Sequence, residues 1–249
     1  MKTYALIIQN GGVAKTSRAL SLGAGLTRKG FKVLYVDLDP QGNLSYTLGV
    51  STQGYGALGT LQRPETASAE IQETKNGDII ASSPALSGAD TMITQTGKEY
   101  KLKEALDTIA KDYNFCIIDT PPALGILTVN ALTACNGAII PAQADIYSLQ
   151  GISQLYTTIE TVKKYCNPDL YIAGILITRF NGRTIIRREI SELLEETASE
   201  LHTKVYKSRI RECTAMVESQ TCRESIFEYA PHSNATKDYE AFIEEIINE

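Results

Sequence analysis

Near the start of the chain, Gly11, Gly12, Lys15 and Thr16 have residue types and a spacing that suit phosphate binding. Paired glycines let a chain curl without Cβ clashes, so that several backbone N–H groups can face one anion. A helix that begins at such a turn adds the partial positive charge of its N-terminus. A lysine supplies a full positive charge at the β- and γ-phosphates, and a threonine hydroxyl can ligate Mg²⁺. The sequence therefore predicts a nucleotide site here.

The residues around this loop fit a strand, a loop and a helix in that order. An apolar run at residues 4–8 predicts the strand, and apolar residues at helical spacing predict a helix over residues 15–29, ended by Gly30. The predicted nucleotide-binding residues are Gly11, Gly12, Val13, Ala14, Lys15, Thr16 and Ser17, with Arg179 as a candidate contact to adenine.

Carboxylates follow two other apolar runs. Asp37 and Asp39 come after the run at residues 33–36, and Asp119 comes after the run at residues 115–118. The carboxyl ends of parallel strands face the ligand crevice of an α/β sheet, so these side chains suit a metal-bound phosphate. Either segment alone is equally compatible with an ordinary turn. The predicted metal ligands are Thr16, Asp37, Asp39 and Asp119.

Residues 10–16 resemble the deviant Walker A box of the ParA/MinD family of P-loop ATPases, K-G-G-x-x-K-[ST]. The ordinary G-x-x-x-x-G-K-[ST] pattern is not met, because Gln9 and Ala14 stand at its glycine positions. Residues 36–43 resemble the switch I segment of this family, and residues 117–122 resemble its Walker B segment.

A less specific match lies at residues 226–231, followed by Asp238 and Tyr239, which resemble the C-terminal portion of small plasmid-type ParA proteins. The resemblance implies an Mg²⁺-dependent ATPase that dimerises around two ATP molecules, binds DNA nonspecifically in that state and is reset by hydrolysis. It also implies a ParB-like adaptor that stimulates hydrolysis, and a cytoplasmic, nucleoid-associated location. The implied catalytic residues are Lys15, Asp39, which orients the attacking water, and Asn10.

Asn10 departs from the family pattern, which has a lysine that reaches across the dimer to the partner's phosphates. Asparagine is shorter and neutral, so it cannot supply that charge, and a cation of this kind is worth about 10³ or more in turnover. Hydrolysis is therefore expected to be weak. Two explanations stay open: a form with slow hydrolysis, or replacement of the lysine by another cation such as Lys98 or Arg179.

The wider pattern of the 249 residues predicts an α/β fold with a mostly parallel, twisted sheet and helices on both faces. Apolar runs recur along the chain with helix-length segments between most of them, and we expect one ATPase domain over residues 1–249. Residues 51–76 are poor in apolar periodicity, which predicts a surface excursion. The G-x-G-x-x-G match at residues 54–59 lies within it and is interpreted as a flexible loop.

The net charge of −5 argues against a protein that coats nucleic acid, but residues 163–223 hold 11 Lys and Arg against 8 Asp and Glu. Clustered cations suffice to bind phosphate backbones. A solvated helix face with ion pairs, such as Arg188 with Glu192, explains the pattern equally well, and the family resemblance favours DNA. The candidate DNA-binding residues are Arg183, Arg187, Arg188, Lys207, Arg209 and Arg211.

Three other functions compete with partition. A membrane switch of the MinD kind needs a basic amphipathic tail, but the apolar stripe at residues 239–247 has acidic neighbours, so we expect it to pack on the body. A redox role like that of the nitrogenase iron protein needs exposed cysteines, whereas Cys116 lies in a predicted buried strand. A metabolic enzyme on the same fold stays open, because fold does not fix function.

Overall fold

The computed structural model describes residues 1–7, 15–180 and 185–249, with only the backbone of Lys15 and of residues 185–188. The described residues contribute seven strands to one sheet. In chain order the strands are β1 (Lys2–Leu6), β2 (Val33–Asp37), β3 (Ile71–Gln72), β4 (Asp78–Ile80), β5 (Phe115–Asp119), β6 (Gly137–Ala142) and β7 (Tyr171–Ile177).

The strands lie in the order β3-β4-β2-β5-β1-β6-β7. Every neighbouring pair is parallel except β3 with β4, which is antiparallel. All residues of β2, β5 and β6 are buried, as expected of central strands covered on both faces. The predicted α/β class with a mostly parallel sheet is confirmed.

The helices that the structure describes are α1 (Lys15–Arg28), α2 (Asn43–Leu48), α3 (Gly56–Gln62), α4 (Ala89–Met92), α5 (Lys101–Ile109), α6 (Ile126–Ala134), α7 (Ile146–Tyr165), α8 (Ile185–Glu200), α9 (Ala215–Thr221), α10 (Ile226–Tyr229) and α11 (Asn234–Ile247). One hydrophobic cluster joins α3, α5, α6, α7 and α8 to one face of the sheet. A second joins α1, α10 and α11 to the other face. Helices therefore cover both faces, as predicted.

Helix α1 packs unusually close to its neighbours because it contains glycines. A Cβ atom at Gly23 would lie 2.3 Å from the Tyr35 ring, and one at Gly25 would lie 2.0 Å from Cδ1 of Ile243. Glycine lowers the intrinsic stability of a helix interior. At these two positions it also allows the close contact of α1 with β2 and α11. After the helix, Gly30 takes a left-handed conformation (φ 89°), as predicted for the residue that ends it.

The flexible loop predicted at residues 54–59, within the predicted surface excursion of residues 51–76, was wrong. Residues 51–76 instead include α3, a short 3₁₀ helix, Pro64–Glu70, and β3, with Ala57, Leu58, Leu61 and Ala67 in the core. Gly56 is needed for a close approach, since a Cβ there would lie 2.4 Å from the carbonyl oxygen of Ala81. Small residues on this helix hid the apolar periodicity that would have revealed it.

Helix α11 packs on the body of the protein, as its apolar stripe predicts. Tyr239, Phe242, Ile243 and Ile246 are buried against α1 and β7 in the second cluster. Glu245 accepts hydrogen bonds from the backbone of residues 207 and 208, which ties the helix to the chain beside it. Among the described helices, none is long and apolar enough to cross a membrane.

Candidate functional site

The candidate site lies where β1, β5 and β2 end. These neighbouring parallel strands are in register, with Leu6 opposite Asp119 and Asp119 opposite Asp37. The hydroxyl of Thr120 donates to the carbonyl of Leu6 at 2.8 Å and fixes the end of β5 against the end of β1. The fold thus brings both predicted strand-end carboxylates to one edge of the sheet.

Thr16 and Asp119 are in direct contact. Thr16 lies in the first turn of α1, and its Oγ1 donates to Oδ2 of Asp119 at 3.2 Å. Asp119 is buried at the end of β5. A hydroxyl and a carboxylate beside a helix N-terminus are hard oxygen donors, which suit Mg²⁺ that keeps waters and phosphate oxygens as its other ligands. The described residues contain no cluster of three or more His, Cys, Asp or Glu that could hold a metal alone.

Asp37 is fully buried and turned toward the start of α2. Its Oδ2 accepts from the backbone N–H of Ser45 at 2.9 Å and from the Ser45 hydroxyl at 2.7 Å. Its Oδ1 accepts from the backbone N–H of Asp39 at 3.2 Å. Burial raises the pKa of Asp37 to about 6 against the opposing effect of these hydrogen bonds. Asp37 therefore anchors α2 to β2, a role that the sequence did not reveal.

Asp39 lies in the turn between β2 and α2, with 8% of its surface exposed. Its Oδ1 accepts from the backbone N–H of Gln41 at 3.0 Å, and its carbonyl accepts from the Ser82 hydroxyl at 2.6 Å. The backbone N–H of Gly42 also donates to that carbonyl. These contacts hold the Asp39 carboxylate at the carboxyl edge of the sheet.

Several predicted site residues lie outside the described part of the chain. They are Asn10, Gly11, Gly12, Val13, Ala14, Arg183 and the side chains of Lys15, Arg187 and Arg188. Ser17 is described: it is buried, and its Oγ accepts a hydrogen bond from Nε2 of Gln220 in α9. Gln220 was not predicted, because only the fold brings α9 to α1.

Arg18 is a second residue that sequence reasoning missed. Its guanidinium is buried and donates through Nη2 to Oγ1 of Thr178, at the end of β7, at 2.5 Å. Nη1 has no hydrogen-bond partner among the described residues. Burial lowers the pKa of Arg18 to about 10, with attraction from Tyr239 and Asp119 opposing that shift and repulsion from Arg179 adding to it. A buried cation therefore lies close to the carboxyl edge of the sheet.

Arg179, the candidate contact to adenine, directly follows Thr178. It takes a left-handed conformation (φ 50°), which is uncommon for a residue with a side chain. Its guanidinium lies 3.4 Å from Oε1 of Glu212. The structure thus places Arg179 beside the end of β7, next to the buried Arg18 charge.

Two of the candidate DNA-binding cations are held in ion pairs. Arg211 contacts both carboxylate oxygens of Asp238, at 2.6 Å and 2.9 Å, and this pairing raises its pKa. Arg209 pairs with Glu195 at 3.0 Å and lies over the Phe180 ring.

The side chain of Lys207 is exposed, whereas its backbone N–H donates to Glu245. These three cations therefore differ: Arg209 and Arg211 are paired with acidic side chains, and Lys207 faces solvent.

A parallel sheet with carboxylates and a helix N-terminus at its carboxyl edge defines this chain as an α/β nucleotide-binding protein of the P-loop type. A family model described as an AAA domain matches residues 1–172. The sporulation initiation inhibitor protein Soj of Bacillus subtilis is 36% identical over 96% of this chain and 95% of its own length. The chromosome partitioning protein ParA of Myxococcus xanthus is 40% identical over 74% of this chain and 67% of its own length. The chain belongs to the ParA/Soj family of partitioning ATPases.

Among solved structures, a cobyrinic acid a,c-diamide synthase of Mycobacterium smegmatis with bound ADP and magnesium superposes with a TM-score of 0.85 at 32% identity, covering 100% of this chain and 94% of that one. The same enzyme has been solved with an ATP analogue and magnesium. The fold is therefore shared with a synthase that has been solved with bound ADP and magnesium.

Proposed function

We propose that this chain is an ATP-dependent partition protein, acting as one ATPase domain over its 249 residues. It binds Mg-ATP, forms a homodimer around two ATP molecules, binds DNA without sequence preference in that state and is reset by hydrolysis. The observation that carries the proposal is the contact between Thr16 and Asp119 at the N-terminus of α1. Family membership supports the partition role, and the chromosome partitioning protein of Myxococcus xanthus is 40% identical.

In this proposal each part of the site has a separate task. Residues 11–17 surround the phosphates, and Lys15 neutralises their charge. Thr16 and Asp119 would hold Mg²⁺, which supplies charge stabilisation to the phosphates when bound. Asp39, fixed by Gln41 and Ser82, orients the attacking water. Asp37 supports this carboxylate through its hydrogen bond to the Asp39 backbone.

ATP hydrolysis is slow in this proposal, because the neutral side chain of Asn10 cannot supply a cation across the dimer. Arg179 is a poor replacement, since it lies beside Glu212 and the buried Arg18 charge. We therefore expect a long-lived ATP state that depends on an adaptor for reset.

The DNA surface is proposed at the start of α8 together with Lys207. Arg183, Arg187 and Arg188 precede or open that helix, and Lys207 is exposed. Arg209 and Arg211 contribute less, because each already neutralises an acidic side chain. Family membership leads us to propose a cytoplasmic location on nucleoid DNA. The burial of the apolar stripe of α11 argues against a MinD-like membrane tail.

The test is ATP turnover by the purified protein with and without nonspecific duplex DNA, combined with sedimentation in ATP and in ADP. We expect ATP, and not ADP, to convert monomer to dimer, and DNA to bind only in ATP. A protein that binds ATP but remains monomeric and ignores DNA would contradict the partition role.

A second candidate is a ligase that amidates a carboxylate, favoured by the 32% identity with the diamide synthase over the whole of this chain. Such an enzyme couples ATP turnover to a small-molecule acceptor. If ATP turnover rises when cobyrinic acid and a nitrogen donor are added, and does not respond to DNA, the ligase function is favoured over the partition function.

A further inference from the structure

Helix α9 makes a contact with the candidate nucleotide site that neither the motifs nor the relatives' names assign. Nε2 of Gln220, in its last turn, donates a hydrogen bond to Oγ of Ser17 in the first turn of α1. Ser17 is buried and Gln220 is half-buried, so the bond is shielded from solvent. The two residues are 203 positions apart, and the contact is therefore a product of the tertiary fold.

A hydroxyl has one proton, and the partner of its oxygen decides where that proton can point. Because the Ser17 oxygen accepts the amide N–H of Gln220, its own O–H must be donated to a different acceptor. Ser17 follows Lys15 and Thr16 at the end of α1 that faces the carboxyl edge of the sheet. An anion bound at that helix end would be such an acceptor.

Gln220 is itself held in place from the other side of the site. The chain turns after α9 at Arg223, which takes a left-handed conformation (φ 56°). The Arg223 guanidinium lies over the ring of Tyr46 in α2, 3.9 Å from its centroid. The neighbouring residue Ser45 is the one that holds Asp37. The segment Ala215–Arg223 therefore bridges α1 and α2, the two helices that flank the site.

We propose that Gln220 is a positioning residue for the nucleotide: it holds the Ser17 oxygen as an acceptor and so directs the Ser17 proton to a phosphate oxygen. An amide is required at this position. A glutamate of the same shape would accept the Ser17 proton instead and would bring a negative charge toward the phosphates. This inference rests on the proposed ATP site and extends it to a helix outside the family motifs.

The experiment measures ATP and ADP binding by calorimetry for a double-mutant cycle of Ser17→Ala and Gln220→Met. Methionine keeps the length of the side chain but removes the donor. Each single variant should weaken ATP binding by about 10- to 150-fold, the effect of one hydrogen bond to a charged group. The double variant should be no weaker than Ser17→Ala alone, because the two changes remove the same interaction.

Gln220→Glu should weaken binding more than Gln220→Met, and this excess should shrink when Ser17 is alanine. Gln62→Glu, an identical charge change at the exposed end of α3, is the matched control and should leave ATP affinity unchanged. If Gln220→Met fails to fold, the same cycle with Gln220→Glu replaces it.

The outcomes separate this inference from the proposed function. If the wild-type protein binds no ATP, the proposed function fails, and the Gln220 role fails with it. If wild-type binding is tight but the effects of Ser17→Ala and Gln220→Met simply add, the ATP site stands and the role assigned to Gln220 is wrong.

Discussion

At the scale of single residues, two aspartates two positions apart have different surroundings. Asp37 is enclosed by donors from Ser45 and by the backbone of Asp39, and has no exposed surface. Asp39 is anchored mainly by backbone contacts at the carboxyl edge of the sheet. The hydrogen bonds indicate a supporting role for Asp37 and a position at the edge for Asp39, and the expected contact of both with a metal stays a prediction.

The first prediction separates nucleotide binding from hydrolysis. Lys15→Ala should abolish ATP binding, because the phosphates lose a charge partner that no neighbouring residue replaces. Asp39→Ala should bind Mg-ATP normally and turn it over at least about 100-fold more slowly, because the water loses its orienting group. Calorimetry and a phosphate-release assay measure the two steps. Unchanged turnover in the Asp39 variant would exclude this carboxylate from catalysis.

The second prediction concerns Asp37 and pH. Its folded pKa, about 6, lies above the ordinary value of 3.8, so the folded state binds its proton more tightly than the unfolded state does. The cost of ionising Asp37 is absent at low pH, grows as pH rises toward 6 and is fully present above it. Repulsion from Asp39 adds to the cost of burial.

Asp37→Asn does not titrate, so relative to wild type it should gain about 2 kcal/mol in free energy of unfolding between pH 4.5 and pH 7. Urea unfolding of both proteins in metal-free buffer measures this change. A difference between the two proteins that stays constant with pH would contradict it.

The third prediction concerns Asn10. Asn10→Lys should raise ATP turnover by about 10³ or more, in the presence of DNA and adaptor if not alone, because it restores a cation that can reach the partner's phosphates. Asn10→Gln keeps the residue neutral and is the control. If the lysine variant is no faster under any of these conditions, position 10 does not have the role that the family pattern implies.

Residue types at strand and helix ends are enough to predict that Thr16 and Asp119 lie close together, because parallel strands put their carboxyl ends at one edge. Gln220, Arg18 and Ser45 could not be found in the same way. Gln220 and Arg18 contact partners that are more than a hundred positions away, and Ser45, eight positions from Asp37, lies in a short helix; no local spacing encodes such contacts.

At the scale of elements, the parallel strands were predictable, whereas β3 and α3, both within residues 51–76, were not. Buried parallel strands read as continuous apolar runs, and the observed β2 and β5 extend only one residue, to Asp37 and Asp119, beyond the runs identified in the sequence. Helix α3 contains two glycines, a threonine and only two large apolar residues. Its stability comes from packing against the 3₁₀ helix and α5, which sequence periodicity does not record.

The fourth prediction tests how closely α1 and α11 pack. Gly25→Ala should lower the free energy of unfolding by about 1–3 kcal/mol, because the new methyl group would overlap Cδ1 of Ile243. Ile243→Val removes that methyl group, so the double variant should lose less stability than the sum of the single changes. Gly88→Ala is the control, because a Cβ there meets only the end of the Met92 side chain at 3.4 Å. Additive losses in the double variant would contradict this packing.

At the scale of the whole molecule, charge is distributed unevenly on an acidic protein. The net charge is −5, yet the candidate cations follow one another closely from Arg183 to Arg211. Acidic residues of α8 and α11 neutralise part of this cluster, as in the pair of Arg211 with Asp238. In the proposed function, DNA binding would therefore depend on the cations that remain and on the two copies of the proposed dimer.

The fifth prediction is that changing Arg183 and Arg187 to Glu weakens DNA binding in the ATP state uniformly across sequences. The slope of log affinity against log salt should become shallower by about 2 for each protomer, and so by about 4 for the proposed dimer, one unit for each lost phosphate contact. Arg63 and Lys111, both exposed, give a matched control in which the same double reversal should have no effect. If DNA affinity is unchanged in this variant, Arg183 and Arg187 do not contact DNA, and the start of α8 is an ordinary solvent-exposed face.

The strand order has a further consequence, for the path of folding. The strand β1 lies inside the sheet between β5 and β6, and Lys2 pairs with Phe115. Its hydrogen-bond partners therefore follow it by more than a hundred residues. The chain must lose the entropy of closing these long loops before either edge of β1 can form its hydrogen bonds. On the same side, α1 is covered by α11 from the far end of the chain. Folding of the central strand and of the helix that begins the site is thus tied to distant segments, which predicts slow, cooperative folding in which the nucleotide site forms late.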